Sequence, residues 1–163
     1  MTREQFIDLV KQEQEPLRRF LLGLCNGNAF EADDIAQEAL VRAYVAMGRF
    51  EGRSRFSTWL FRIAYNCFFD KIKSASRASV ETLSPAAERV SGGETPDEQF
   101  RYQALYRAID ALSPDEKAVI LLFYMEDRPI LEIAKITSLS VSAIKSRLHR
   151  GRLHLKNFLE NEE

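Results

Sequence analysis

The chain has 163 residues, of which 45% are hydrophobic and 29% charged, and a formal net charge of −1. This is the composition of one globular domain or two small ones, and it excludes collagen-like, disordered and disulfide-built chains. The longest wholly apolar run, Ala118 to Met125, falls far short of the ~18 residues that cross a bilayer, and Met-Thr-Arg-Glu-Gln at the N-terminus carries no apolar signal core, so the expected compartment is the cytoplasm.

Thr2 and Gln5 make a capping-box pattern ahead of Phe6, Leu9 and Val10. Pro16 suits the first turn of a second helix bearing Leu17, Phe20, Leu21 and Leu24. Asn26-Gly27-Asn28 is a loop signal. Ile35, Ala36, Ala39, Leu40, Ala43, Tyr44 and Met47 then recur at three- and four-residue steps, an amphipathic helix ended by Gly48. After a loop at 49–54, a helix is expected from about Phe56 to Lys73, with Phe56, Trp59, Leu60, Ile63, Cys67, Phe68 and Ile72 on its apolar face.

From residue 76 to 98 the apolar periodicity stops and serines, Gly92-Gly93, Pro85 and Pro96 take over, the composition of a flexible linker. A structureless stretch of that length inside one compact unit is unusual, which points to two domains, 1–75 and 99–163, packed weakly or moving independently. The second opens with a helix holding Tyr102, Leu105, Tyr106, Ile109 and Leu112. Ser113-Pro114-Asp115-Glu116 reads as a complete helix start, with cap, first-turn proline and box-closing glutamate. A buried helix to Met125, a short helix after Pro129, a turn at Ser138–Ser140 and a long helix from Val141 to Leu159 follow. No strand signal is present, so the expected fold is all-α: two small helical domains and a linker.

The neutral average hides a local excess of charge. No acid occurs between Glu132 and Glu160, a stretch containing Lys135, Lys145, Arg147, Arg150, Arg152 and Lys156 with His149 and His154 among them. A short helix, a tight turn and a longer basic helix form the helix-turn-helix pattern. On the last helix Val141, Ile144, Leu148 and Leu155 can pack inward, while Ser142, Lys145, Ser146, His149 and Arg150 fall on the other side, near the end that enters the major groove in such motifs. A solvated basic face is the plainer alternative.

Opposite the apolar face of the 56–73 helix lie Arg62, Asn66, Phe69, Asp70 and Lys73, with Phe50, Arg53 and Arg55 just before it. These residue types suit unstacked single-stranded nucleic acid, and equally a mixed polar face over core aromatics. Glu31, Asp33, Asp34, Gln37 and Glu38 at the start of a helix are accounted for by its dipole, or offer a docking surface to a basic protein. Cys25 and Cys67, 42 positions apart, have no metal-ligand or CxxC spacing and read as buried free thiols. No nucleophile–base arrangement, metal site or phosphate loop is evident, so neither enzyme activity nor a cofactor is expected.

In four places the chain resembles the bacterial extracytoplasmic-function (ECF) sigma factors. Residues 32–44 look like sigma region 2.2, 55–66 like region 2.3 running into 2.4, 112–116 like region 4.1, and 144–150 like the region 4.2 recognition helix, all in the family's order. The family often has glycine where this chain has Ser138 and Ser142. The resemblance implies that Asp34, Gln37 and Glu38 dock on the polymerase clamp helices. It implies that Phe50, Arg53, Arg55, Arg62, Asn66 and Lys73 meet the -10 element, and that Ser142, Lys145, Ser146, Arg147, His149 and Arg150 meet the -35 element. It further implies core RNA polymerase, including its flap, and promoter DNA as partners, and an anti-sigma factor as inhibitor. A conventional helix-turn-helix regulator that works without polymerase is the alternative, and it leaves the 55–66 pattern unexplained.

Overall fold

The computed structural model describes residues 1–78 and 96–161. These form α1 (Arg3–Leu24), α2 (Ala29–Ala46), α3 (Phe56–Ala78), α4 (Pro96–Asp110), α5 (Pro114–Ile120), α6 (Ile130–Thr137) and α7 (Val141–Asn161), with no strand among the described residues.

α1 opens on the expected capping box: Thr2 Oγ1 accepts from the Gln5 amide at 3.2 Å, and Gln5 Oε1 accepts from the Thr2 amide at 2.9 Å. Where Pro16 suggested a new helix, the structure has one continuous helix with the proline inside it. An interior proline costs about 3 kcal/mol. The cost is met by burial, because Phe6, Val10, Leu17, Phe20, Leu21 and Leu24 keep a single buried stripe on both sides of Pro16. Asn26 and Gly27 then turn the chain with φ of 55° and 81°, and Asn28 caps α2 by accepting from the Glu31 amide at 3.2 Å.

α2 buries a small-residue stripe, Ala32, Ile35, Ala39 and Ala43, which lets it lie close to both α1 and α3. α3 runs to Ala78 and α4 starts at Pro96, so the helices intrude on both ends of the expected 76–98 linker. Nothing between Ser74 and Ala78 breaks a helix, and proline is at home in a first turn. Residues 79–95 of that linker lie outside the described residues.

Ser113 caps α5 as expected, accepting from the Glu116 amide at 3.3 Å, but the Glu116 carboxylate turns to α7 and meets His154 Nδ1 at 2.7 Å and Arg150 Nε at 3.8 Å. α5 continues through a π-helical turn, Leu121–Met125. The α6–α7 turn is closed by side chains: Thr137 Oγ1 donates to the Ile133 carbonyl at 2.8 Å and accepts from the Leu139 amide at 3.2 Å, and Ser140 Oγ accepts from the Ala143 amide at 3.1 Å. Ser138, where glycine was noted as common, stands in the left-handed region at φ 63°.

Gly151 is the close-approach point between α7 and α5, since a Cβ there would lie 2.8 Å from Ile120 Cγ1. Gly151→Val is therefore expected to lower stability by about 1–3 kcal/mol through overpacking, read as a lower thermal midpoint, with Gly151→Ala less affected because alanine favours a helix by ~1 kcal/mol.

The two halves do not stand apart as the linker suggested. α3 packs against α6, and α1 against α4, α5 and the π turn. Buried Phe20, Leu21, Phe61, Leu121, Leu122, Ile133 and Ile136 belong to one hydrophobic cluster spanning both halves. At Gly23 the approach is so close that a Cβ would lie 2.7 Å from Leu121 Cδ1. Linker composition describes a connection and says nothing about the surfaces it joins. α6 carries Ile130, Leu131, Ile133, Ala134 and Ile136 in eight residues; Ile133 and Ile136 are buried where it packs on α3, α7 and the π turn, and Leu131 stays exposed.

Candidate nucleic-acid and polymerase interface

Three surfaces hold the residues singled out in the sequence. On α2, Gln37 is exposed, Asp34 pairs with Lys71, and Glu38 pairs with Arg42 at 2.7 Å. Arg42 also reaches Asp70 at 3.2 Å. Of the three expected docking residues, Asp34 thus also ties α2 to α3, and Glu38 does so only through Arg42. On the same helix Phe30, Val41 and Val45, which the periodicity missed, are 85%, 63% and 78% exposed, and Tyr44, expected on the apolar face, is exposed as well. Their signal was present as apolar residues off the buried Ala32–Ile35–Ala39–Ala43 stripe. Val41, Tyr44 and Val45 are neighbours at three- and four-residue spacing and make an apolar strip, the kind of exposed surface that can serve as a contact site.

On the second surface Phe50 is half-buried in an aromatic cluster, its ring 5.1 Å from Trp59 and 6.0 Å from Phe56. Phe69, expected to be exposed, is half-buried with its ring 4.5 Å from Tyr65, so it belongs to the core aromatics. Asn66 and Lys73 are exposed. Arg53 pairs with Glu51 at 2.9 Å. Arg55 and Arg62 reach across to α6, Arg55 Nε lying 3.4 Å from Glu132 Oε1 and Arg62 Nη1 donating to the Lys135 carbonyl at 3.3 Å.

The third surface is the first half of α7. Ile144 and Leu148 are fully buried, which turns Ser142, Lys145, Ser146 and His149 outward around one shallow depression beside Val141. Arg150 is exposed but leans toward Glu116. Arg147 is not with them: its guanidinium lies 3.7 Å from Asp115 Oδ1 and beside the Tyr65 hydroxyl of α3. Burial pushes the Tyr65 hydroxyl up.

Both cysteines are buried free thiols. Burial pushes Cys25 up to about 12 and raises Cys67 as well, so both are neutral thiols at physiological pH, poor nucleophiles and poor metal ligands. Among the described residues no cluster of histidine, cysteine and carboxylates could hold a metal ion, and no helix is long and apolar enough to cross a membrane.

Residues 9–78 match the family model for sigma-70 region 2, and residues 102–155 match that for sigma-70 region 4. Across 98% of this chain and 91% of its own length, the ECF RNA polymerase sigma factor SigW of Bacillus subtilis is 33% identical. The chain belongs to the ECF sigma factors. The ECF sigma-E factor of Escherichia coli is 31% identical over 78% of this chain and 73% of its own length. Among solved structures, the sigma factor RpoE of Bartonella quintana, in complex with the anti-sigma factor NepR, superposes with a TM-score of 0.82 at 25% identity, covering 98% of this chain and 99% of that one. CnrH, in complex with the cytosolic domain of CnrY, shares the fold, with a TM-score of 0.73 at 22% identity. As an ECF sigma factor the chain binds core RNA polymerase and directs promoter recognition and transcription initiation. Family membership does not favour the alternative of a regulator working without polymerase.

Proposed function

We propose that the three surfaces divide the work of this sigma factor. The half at 1–75 docks on the polymerase clamp helices through Asp34, Gln37, Glu38 and the apolar strip of α2, and uses Phe50, Arg53, Arg55, Arg62, Asn66 and Lys73 at the -10 element. The half at 99–163 meets the flap and places the first half of α7 in the major groove of the -35 element, through Ser142, Lys145, Ser146, Arg147, His149 and Arg150. The factor acts by binding and strand separation in the cytoplasm, not as an enzyme, and an anti-sigma factor holds it when it is not needed.

The observation that supports this most is the sidedness of α7. With Ile144 and Leu148 committed to the core, Ser142, Lys145, Ser146 and His149 are turned outward together, with Arg150 exposed one turn on. Lysine and histidine there can donate to base edges or phosphate, and serine to either.

Affinity of the reconstituted holoenzyme for single-base -35 variants, measured at several salt concentrations, tests the assignment. If Lys145 reads a guanine, Lys145→Ala should cost about 1–3 kcal/mol and relax preference at one position. If it grips phosphate, binding should weaken evenly across sequences, with the salt slope falling by about one unit. Wild-type affinity and slope would remove it from the site.

A further inference from the structure

Glu116 is a buried carboxylate that its own helix start does not use. As the third residue of α5 it could close a capping box by turning back to Ser113, yet its side chain, 10% exposed, points to α7. Gly151 makes room for it: α7 comes so near that a Cβ there would lie 3.9 Å from the Glu116 Cβ. The carboxylate thus reaches α7 between Arg150 and His154, which stand on either side of the glycine. Oε2 accepts from His154 Nδ1 at 2.7 Å, and Oε1 faces Arg150 Nε at 3.8 Å. A charge so poorly hydrated needs partners, and α7 supplies two, each with 58% of its own side chain exposed. Arg147 meets Asp115 in a similar way at 3.7 Å, but Asp115 is 59% exposed, and ion pairs in solvent hold little. Of the two acids, Glu116 is the one that can keep an arginine in place.

We propose that Glu116 is a positioning residue for -35 recognition. Held by His154, its carboxylate takes the Nε side of Arg150 and aims the remaining Nη1–Nη2 fork at a guanine edge in the major groove. The proposal rests on the assignment of Arg150 to the -35 element.

The planar guanidinium fork matches the O6 and N7 acceptors of guanine, but only in one orientation. An arginine free in water must be ordered when it binds. One already drawn to a buried carboxylate loses less freedom, and its fork is presented in one direction. The pairing also decides between base and phosphate. Arg150 and Glu116 together are close to neutral, so the pair attracts phosphate weakly, whereas an unpaired cation adds to counterion release. Arg150 therefore supplies sequence preference and little of the salt dependence. His154 lies a turn beyond Arg150 and acts on DNA only through Glu116, by fixing which oxygen faces the arginine.

The test uses holoenzymes carrying full-chain variants, titrated at several salt concentrations with duplexes bearing single-base -35 changes. Arg150→Ala should lose an about tenfold preference for guanine at one position, the discrimination that a bidentate contact provides, with the salt slope nearly unchanged. Glu116→Ala should cut the preference at that same position to about threefold or less and leave the other positions as in the wild type. His154→Ala, which keeps the carboxylate but frees one of its oxygens, should weaken the preference less. When Arg150→Ala and Glu116→Ala are combined, the second substitution should add nothing. Glu116→Gln keeps the shape of the side chain without its charge, serves if the alanine variant folds poorly, and should lose part of the same preference. Wild-type preference in both Glu116 variants overturns the proposal. So does tighter binding by Glu116→Ala across all sequences with a steeper salt slope, which would make Glu116 a restraint on Arg150 and not its guide. So does an effect of Glu116→Ala on preference that persists without Arg150. If Arg150→Ala weakens binding evenly and lowers the salt slope, Arg150 grips phosphate: it stays in the -35 site, and the positioning role is lost. If Arg150→Ala keeps wild-type affinity and preference, the -35 assignment of Arg150 itself fails, and the proposal falls with it.

Discussion

Phe61→Ala is expected to destabilise the protein by about 3–5 kcal/mol, the usual cost of emptying a fully buried phenylalanine site. The ring has no exposed surface, stacks on Phe20 at 5.5 Å and carries the Arg128 guanidinium at 4.7 Å. Truncation opens a cavity at the junction of α1, α3 and the second half, and leaves Arg128 with less to rest on in a poorly hydrated place. Urea denaturation checks it. The midpoint should fall sharply with an unchanged slope if the variant still unfolds in one step. A loss below ~1 kcal/mol would mean that the halves close up around the missing ring.

Val41→Glu with Val45→Glu should all but abolish binding to core polymerase, by ~100-fold or more, while leaving the thermal midpoint nearly unchanged. Both side chains project from α2 into solvent, and substitutions at such positions usually stay within ±0.5 kcal/mol of the starting stability. At the centre of an interface the same positions carry much of the affinity, and a buried carboxylate without a partner is costly. Competition against labelled wild-type chain for core polymerase measures the effect. Undiminished competition would move the docking surface off this side of α2.

Most of the helices were legible because local rules determine them. The Thr2–Gln5 box, the Ser113-Pro114 start and the stripe of α2 each need only neighbours in sequence, and all three hold in the structure, save that Tyr44 of the stripe is exposed. Pro16 misled because a local rule met a tertiary one: burial of Leu17, Phe20 and Leu21 in line with Phe6 and Val10 outweighed the break. Glu116 misled in the same way, trading its backbone cap for His154 and Arg150 on α7.

For the candidate sites, helical spacing placed Ser142, Lys145, Ser146 and His149 on one face, since the burial of Ile144 and Leu148 could be read from their period. It could not foresee Arg147 turning to Asp115 or Phe69 folding onto Tyr65, because those partners lie on other helices. The outward valines were overlooked for the opposite reason: an apolar residue in an amphipathic helix is assumed to be inside until the neighbouring helices are seen. The closed pairing of the halves had no local signature, being made by residues such as Arg19 and Glu126, 107 positions apart.

That separation has a consequence for how the protein is made. A chain synthesised from its N-terminus completes α1, α2 and α3 long before Leu121, Glu126 or Arg128 exists, and domains emerging first fold first. The nascent N-terminal half must therefore survive with Leu21, Phe61 and the bare backbone at Gly23 uncovered, and with Arg55 and Arg62 unopposed by α6. Contacts of such long range are also the slowest to form. Each new molecule thus passes through an interval in which its first half is folded and its second half is not yet there to cover it. A polymerase or an inhibitor that met it then would find a surface that the finished protein keeps covered.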